Sequence, residues 1–221
     1  MGMVKPIVIL QHGFNVIDKG AGTTDLLKPY YRAEGFPVIE WDYGWSGPLT
    51  VALKNKNLVT KLKEKIRRLH ADGYTVIYDG HSNAAAIAYL LTRAKDEADQ
   101  PDILALTNPA LRRDISFGSG PEHILIYHSL DDEVVVAGKW WRWALPAYFD
   151  RWLPWGDMGR TGYTGKKDLR IANINLSREY NSLTGNMQKF EHSTYYDSAV
   201  LHIMAPARVR TIKNLLRIMG T

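Results

Sequence analysis

Ser82, Asp132 and His192 are the residues of this chain whose types and order point to chemistry. Ser82 stands in Gly80-His81-Ser82-Asn83-Ala84. Before it runs Thr75-Val76-Ile77-Tyr78-Asp79, which reads as a strand, and after it Ala85-Ala86-Ile87-Ala88-Tyr89-Leu90-Leu91, which reads as a helix. A serine on a sharp strand-to-helix turn has its hydroxyl pushed out of the sheet, where a base can reach it. The residues around such a turn must be small because the helix and strand backbones pass close together. Gly80 and Ala84 meet that need, although a second glycine is the more usual choice at the position of Ala84. Taken alone, a short pattern of this kind also describes an ordinary turn or helix-capping serine.

A nucleophilic serine needs a base, and the base an orienting acid. His128-Ser129-Leu130-Asp131-Asp132-Glu133-Val134-Val135 follows a late apolar strand, and Asp132 fits the position of a turned-in acid best, with Asp131 as the competitor. The histidines beyond the acid are His192 and His202. His192 lies in Phe190-Glu191-His192-Ser193-Thr194-Tyr195, expected to be a loop leading into a helix. His202 lies in the apolar run Ala199-Val200-Leu201-His202-Ile203-Met204 and is expected to be packed, so His192 is the preferred base. His70, His81 and His123 precede the acid and read as structural.

The elements that must position these groups alternate. Ile7 to Leu10, Pro37 to Trp41, Thr75 to Asp79, Asp102 to Thr107, His123 to His128 and Leu169 to Leu176 read as strands. Helices are expected over 23–34, 49–71, 85–98 and 205–218, the last with Val209, Ile212, Leu215, Leu216 and Met219 on one side. Several strands are continuously apolar rather than alternating, which marks strands buried on both faces. The expected fold class is α/β, a mostly parallel sheet with helices on both faces.

Ser82, acid, His192 is the chain order of the α/β-hydrolase superfamily. On His12-Gly13-Phe14, Gly80 to Ala84, Asp132 to Val135 and His192, the chain resembles that superfamily from Ile7 to the last helix, except in the segment after the acid. The resemblance implies a catalytic triad of Ser82, Asp132 and His192. It implies an oxyanion hole from the backbone N–H groups of Phe14 and Asn83, worth a few kcal/mol per donor. It further implies acyl transfer through an acyl-enzyme, with an esterase- or lipase-like carboxylic-ester hydrolase as the expected activity. The same triad serves amide and thioester substrates, and a noncatalytic binding module on the same fold is the alternative outside enzymology. Neither a metal nor an organic cofactor is required. His and carboxylate residues show no metal-ligand spacing such as H-E-x-x-H.

Residues 137–168 form an insert between acid and base, within a single domain spanning 1–221. It holds five of the chain's seven tryptophans. Trp140, Trp143, Trp155 and Met158 are expected to line a substrate cleft. The segment reads as a lid or platform for a small-molecule or lipid-like ester, with interfacial contact through its aromatic side chains, or as a packed excursion shielding the sheet edge.

The 221 residues are 45% hydrophobic and 23% charged, with no cysteine, which excludes disulfides, thiolate catalysis and Cys-based zinc sites. A net charge of +5 permits an anionic partner. Much of the excess, however, lies between Lys54 and Leu69, where Leu58, Leu62, Ile66 and Leu69 recur at helical spacing and leave the basic residues on a solvated face. No nucleic-acid recognition motif accompanies them. Met1 to Ile7 enters a strand-like run without the features of a secretory signal, and no run is apolar enough to span a membrane, so a cytoplasmic protein is expected.

Overall fold

The computed structural model describes residues 5–13, 18–41, 50–137 and 153–220. Six strands form one all-parallel sheet: β1 Lys5–Gln11, β2 Val38–Glu40, β3 Tyr74–His81, β4 Ile103–Thr107, β5 His123–His128 and β6 Ile171–Asn175. Their order across the sheet is β2-β1-β3-β4-β5-β6. The chain reverses its direction of travel between β1 and β3. In open parallel sheets the crevice at that reversal, beyond the carboxyl ends of the strands, is where ligands bind. The register aligns Gln11 with Gly80 and His81 with Thr107, so the ends of β1, β3 and β4 are neighbours.

Helices cover both faces. α1 is Lys28–Ala33, α2 Val51–Ala71, α3 Ala84–Thr92, α4 Leu176–Thr184 and α5 Ser198–Met219. On one face α2 and α3 pack against Ile9, Val76, Tyr78, Leu104 and Ile126; on the other, α1 and α5 pack against Val8, Ile77, Ala105 and Leu125. This split follows from strand alternation, since successive side chains of a strand point to opposite faces. Leu58, Leu62, Ile66 and Leu69 of α2 are all buried, as their spacing predicts, and Lys56, Lys61, Arg67 and Arg68 are exposed.

Most boundaries move by one or two residues, and three helices depart further. The helix after Ser82 ends at Thr92, and a separate 3-10 turn covers Glu97–Asp99. The first helix begins as a 3-10 turn, Thr24–Leu27, and turns α-helical as Pro29 enters its first turn. α5 starts at Ser198, seven residues before the expected start, and carries Pro206 inside it. His202 consequently lies on the exposed side of α5, not packed as its apolar neighbours suggest. No helix among the described residues is long and apolar enough to cross a membrane.

Candidate active site

Ser82 occupies the turn between β3 and α3 with φ +56, a left-handed conformation that residues with a β-carbon rarely adopt. Such strain persists only where surrounding bonds over-determine it. Here Ser82 N donates to Thr107 O at the end of β4 (3.0 Å). Ser82 O accepts from Ala85 N (3.1 Å) and Ala110 N (3.2 Å). Ser82 stays partly exposed while His81 and Asn83 on either side are buried. A β-carbon on Gly80 would lie 2.9 Å from both Ala84 Cβ and Tyr78 Cε1. The alanine at 84 is therefore accommodated only because 80 is glycine. A β-carbon on Gly13 would lie 2.9 Å from Ser82 Cβ. The end of β1 thus runs directly against the serine. Phe14 lies outside the described residues.

Asp132 follows β5 and is fully buried. His192 Nδ1 lies 2.9 Å from its Oδ2 and 3.0 Å from its Oδ1. An ionised carboxylate only accepts, so Nδ1 carries the donated hydrogen and Nε2 of the neutral ring is left as the proton acceptor. Asp131 does a different job. Its Oδ2 accepts from Phe190 N (3.3 Å), holding the loop that carries His192 rather than the ring itself. The loop holds Asp132 by its backbone, Asp132 N donating to Ser129 O (3.1 Å), and by its carboxylate, Oδ1 accepting from Val135 N (3.4 Å). Gly159 lets a neighbouring strap pass close by, since a β-carbon there would lie 3.0 Å from Asp132 Oδ2.

The backbone of His192 is clamped as well. Its carbonyl accepts from Asn108 Nδ2 (2.7 Å) and from His81 Nε2 (3.1 Å). The His81 and His192 rings lie 4.7 Å apart, centroid to centroid. His81 is the residue before Ser82, so the clamp ties the serine's strand to the histidine's loop. Burial, and then the nearness of His192, push the His81 pKa well below the usual imidazole value. The ring is neutral at pH 7 and remains a single-hydrogen donor. Asn108 is buried and itself left-handed, with φ +45. Sequence reasoning missed it. The only available signal was an asparagine just past a strand end, where Asn tolerates that conformation better than other residues with a β-carbon.

Trp155 and Met158, expected in a cleft, are instead interior residues of the α2–α3 face. The strap bearing them is stitched to the loop after β4. Arg112 N donates to Pro154 O (2.9 Å), Met158 N to Leu111 O (2.8 Å) and Gly159 N to Pro109 O (2.8 Å). Trp140 and Trp143 lie outside the described residues.

No family model matches the sequence, and no curated protein does. Solved structures do match. An esterase from Pyrococcus furiosus superposes with a TM-score of 0.57 at 10% identity, over 96% of this chain and 82% of that one. A metagenome-derived lipolytic enzyme gives 0.56 at 12%, over 96% and 94%. A Xanthomonas campestris pv. campestris protein placed in the alpha/beta superfamily of hydrolases gives 0.54 at 16%, over 94% and 98%. The fold is the α/β-hydrolase fold. The carboxyl ends of β1, β3 and β5 lie along the same edge of the parallel sheet. Those ends lead to Gly13, to Ser82 and to Asp132, with the His192 ring held on Asp132.

Proposed function

We propose that this protein is a serine hydrolase that cleaves a carboxylic ester through Ser82, Asp132 and His192. The observation that carries the reading is the buried Asp132 carboxylate on His192 Nδ1, in a histidine whose backbone is hydrogen-bonded to the neighbour of a strained serine. His192 Nε2 takes the Ser82 proton as Oγ attacks the ester carbonyl. The C=O electrons move to the oxygen, and the N–H groups of Asn83 and Phe14 stabilise the negative charge. As the tetrahedral species collapses, His192 returns the proton to the leaving alcohol and an acyl-serine remains. Water then repeats the sequence with His192 as base, releasing the acid and restoring Ser82. Asp132 keeps the imidazole in the tautomer that accepts at Nε2 and stabilises the imidazolium. The structural neighbours that are esterases and lipolytic enzymes favour an ester over an amide or thioester as substrate class.

A fluorophosphonate probe tests the reading. Native protein is expected to gain one adduct at Ser82, and Ser82→Ala none. Ester hydrolysis by Asp132→Asn should fall about 10⁴-fold, because the wrong tautomer is then held. Asp131→Asn keeps an Oδ1 that can accept from Phe190 N and weakens at most one backbone hydrogen bond, worth about 1 kcal/mol, so turnover should change only a few-fold. Native protein that takes up no probe at Ser82 overturns the proposal; a larger loss from Asp131→Asn overturns the choice of acid.

A further inference from the structure

The side chain of Asn83 has a role separate from its backbone. Its Oδ1 accepts from the indole Nε1 of Trp155 (2.7 Å), and its carboxamide exchanges bonds with Asn55 of α2, Asn83 Nδ2 to Asn55 Oδ1 at 3.1 Å and Asn55 Nδ2 to Asn83 Oδ1 at 3.4 Å. An indole N–H can only donate, so it fixes which end of the Asn83 carboxamide is oxygen. All three side chains are buried, at 1%, 0% and 5% exposure for Asn83, Asn55 and Trp155. A bond lost there is not replaced by bulk water. The indole is itself held by a rigid support. The strap from Leu153 to Gly159 is tied to the loop after β4 by three main-chain bonds, and Gly156 packs against the Arg112 backbone, where a β-carbon would lie 2.6 Å from Arg112 Cα. That same loop reaches the nucleophile turn, through Ala110 N to Ser82 O.

We infer that Trp155 is a positioning residue. Through Asn83 Oδ1 it fixes the rotation of the residue whose backbone N–H stabilises the oxyanion, and so links the segment that returns from the tryptophan-rich insert to that amide. The inference rests on the serine-hydrolase reading. A donor amide rotated by a few tenths of an ångström still lets substrate bind but meets the developing oxyanion poorly, so the cost falls on the transition state. Asn55 steadies the carboxamide from the opposite side. The insert's returning segment thereby contributes to chemistry without touching the substrate.

Trp155→Phe keeps the ring and deletes the N–H. It is expected to lower kcat for a p-nitrophenyl ester about tenfold with KM changed less than about twofold, a fraction of the loss from removing an oxyanion donor outright. The matching thiono ester, whose sulfur makes weaker use of oxyanion donors, should lose far less, so the oxo-to-thiono preference shrinks. Asn83→Leu should behave alike, and the double variant should lose no more than either single one, because one acts through the other. Native labelling of Ser82 with unchanged kcat in Trp155→Phe overturns this inference alone. Equal losses on oxo and thiono esters, or losses that multiply in the double variant, also overturn it, since a merely loosened fold would give them. Should Trp155→Phe not fold, Asn55→Ala read with the same substrate pair decides. Native protein without a Ser82 adduct overturns the hydrolase reading itself.

Discussion

β3 carries two buried polar networks on its opposite faces, and they are built from different chemistry. On the α5 face Asp79 meets Arg208. Arg208 Nε lies 2.9 Å from Asp79 Oδ2 and its Nη2 2.5 Å from Oδ1, and both residues are essentially without exposure. Tyr31 adds its hydroxyl to Asp79 Oδ2 at 2.5 Å, and Arg208 Nη1 reaches Thr107 Oγ1 at 2.6 Å. The guanidinium also lies over the Tyr127 ring, 4.2 Å from its centroid. On the α2 face the contacts are neutral: Tyr78 with Gln11 and Ala84, then Asn83 with Asn55 and Trp155. Both networks end within three residues of Ser82. The ionic one ties β3 to β4 and α5 under the strand, as a brace. The neutral one touches the turn itself. Charge sits where disruption carries a large penalty, and the weaker neutral bonds sit beside the turn that carries Ser82.

The contrast breaks most sharply at Arg208. Arg208→Met leaves the Asp79 carboxylate buried and unpaired, and is expected to cost about 3–5 kcal/mol of unfolding free energy. Pairing it with Asp79→Leu removes the stranded charge and should recover most of that loss, since a well-packed apolar pair replaces a buried ion pair at little cost. Urea unfolding of the two variants measures both. A single-variant loss under about 1 kcal/mol would mean that solvent reaches the pair and that the brace is not ionic in effect.

What sequence could reveal follows the same division. Ser82 was legible because a small-residue turn between an apolar strand and an alanine-rich helix leaves a local imprint. The parallel sheet was legible because strands covered on both faces are continuously apolar. Arg208 and Asn55 were not legible. Each lies in a helix rich in exposed basic or polar side chains, and only tertiary packing turns one of them inward. Asn108 was hidden for another reason: its partner, the His192 carbonyl, lies 84 residues away, and a backbone acceptor has no sequence signature. Trp155 was read as cleft-lining because tryptophan in an insert suggests a binding surface; its N–H instead meets a buried carboxamide.

On the neutral face the expected effect is smaller. The Tyr78 hydroxyl donates to Gln11 Oε1, and Ala84 O lies 3.0 Å from it. Tyr78→Phe removes those bonds but strands only neutral groups, so about 1–2 kcal/mol should be lost. Thermal or urea unfolding beside Arg208→Met ranks the two faces directly. A Tyr78→Phe loss as large as the Arg208→Met loss would erase the distinction between the two faces.

The smallest effect is expected in the pH dependence of stability, and it concerns His81, which stands on the ionic face but is neutral. Burial holds its folded-state pKa well below that of the unfolded chain, about 6.5. Below that pH the unfolded chain takes up a proton that the folded protein refuses. Stability is therefore full above the unfolded pKa and is lost as pH falls, with a slope of at most one proton per molecule from this group. His128, whose pKa burial also lowers, adds in the same sense. His70 acts oppositely: its bond to Asp102 raises its pKa, so its contribution is complete in acid and fades as pH rises through the folded value. The difference between native protein and His81→Gln isolates one group from the other two. Gln keeps an N–H for the His192 carbonyl and cannot titrate, so urea midpoints from pH 7.5 down to pH 5 should fall less steeply in the variant. Parallel curves would mean that His81 takes up its proton as readily in the folded protein as in the unfolded chain, so that burial does not keep the clamp on His192 neutral.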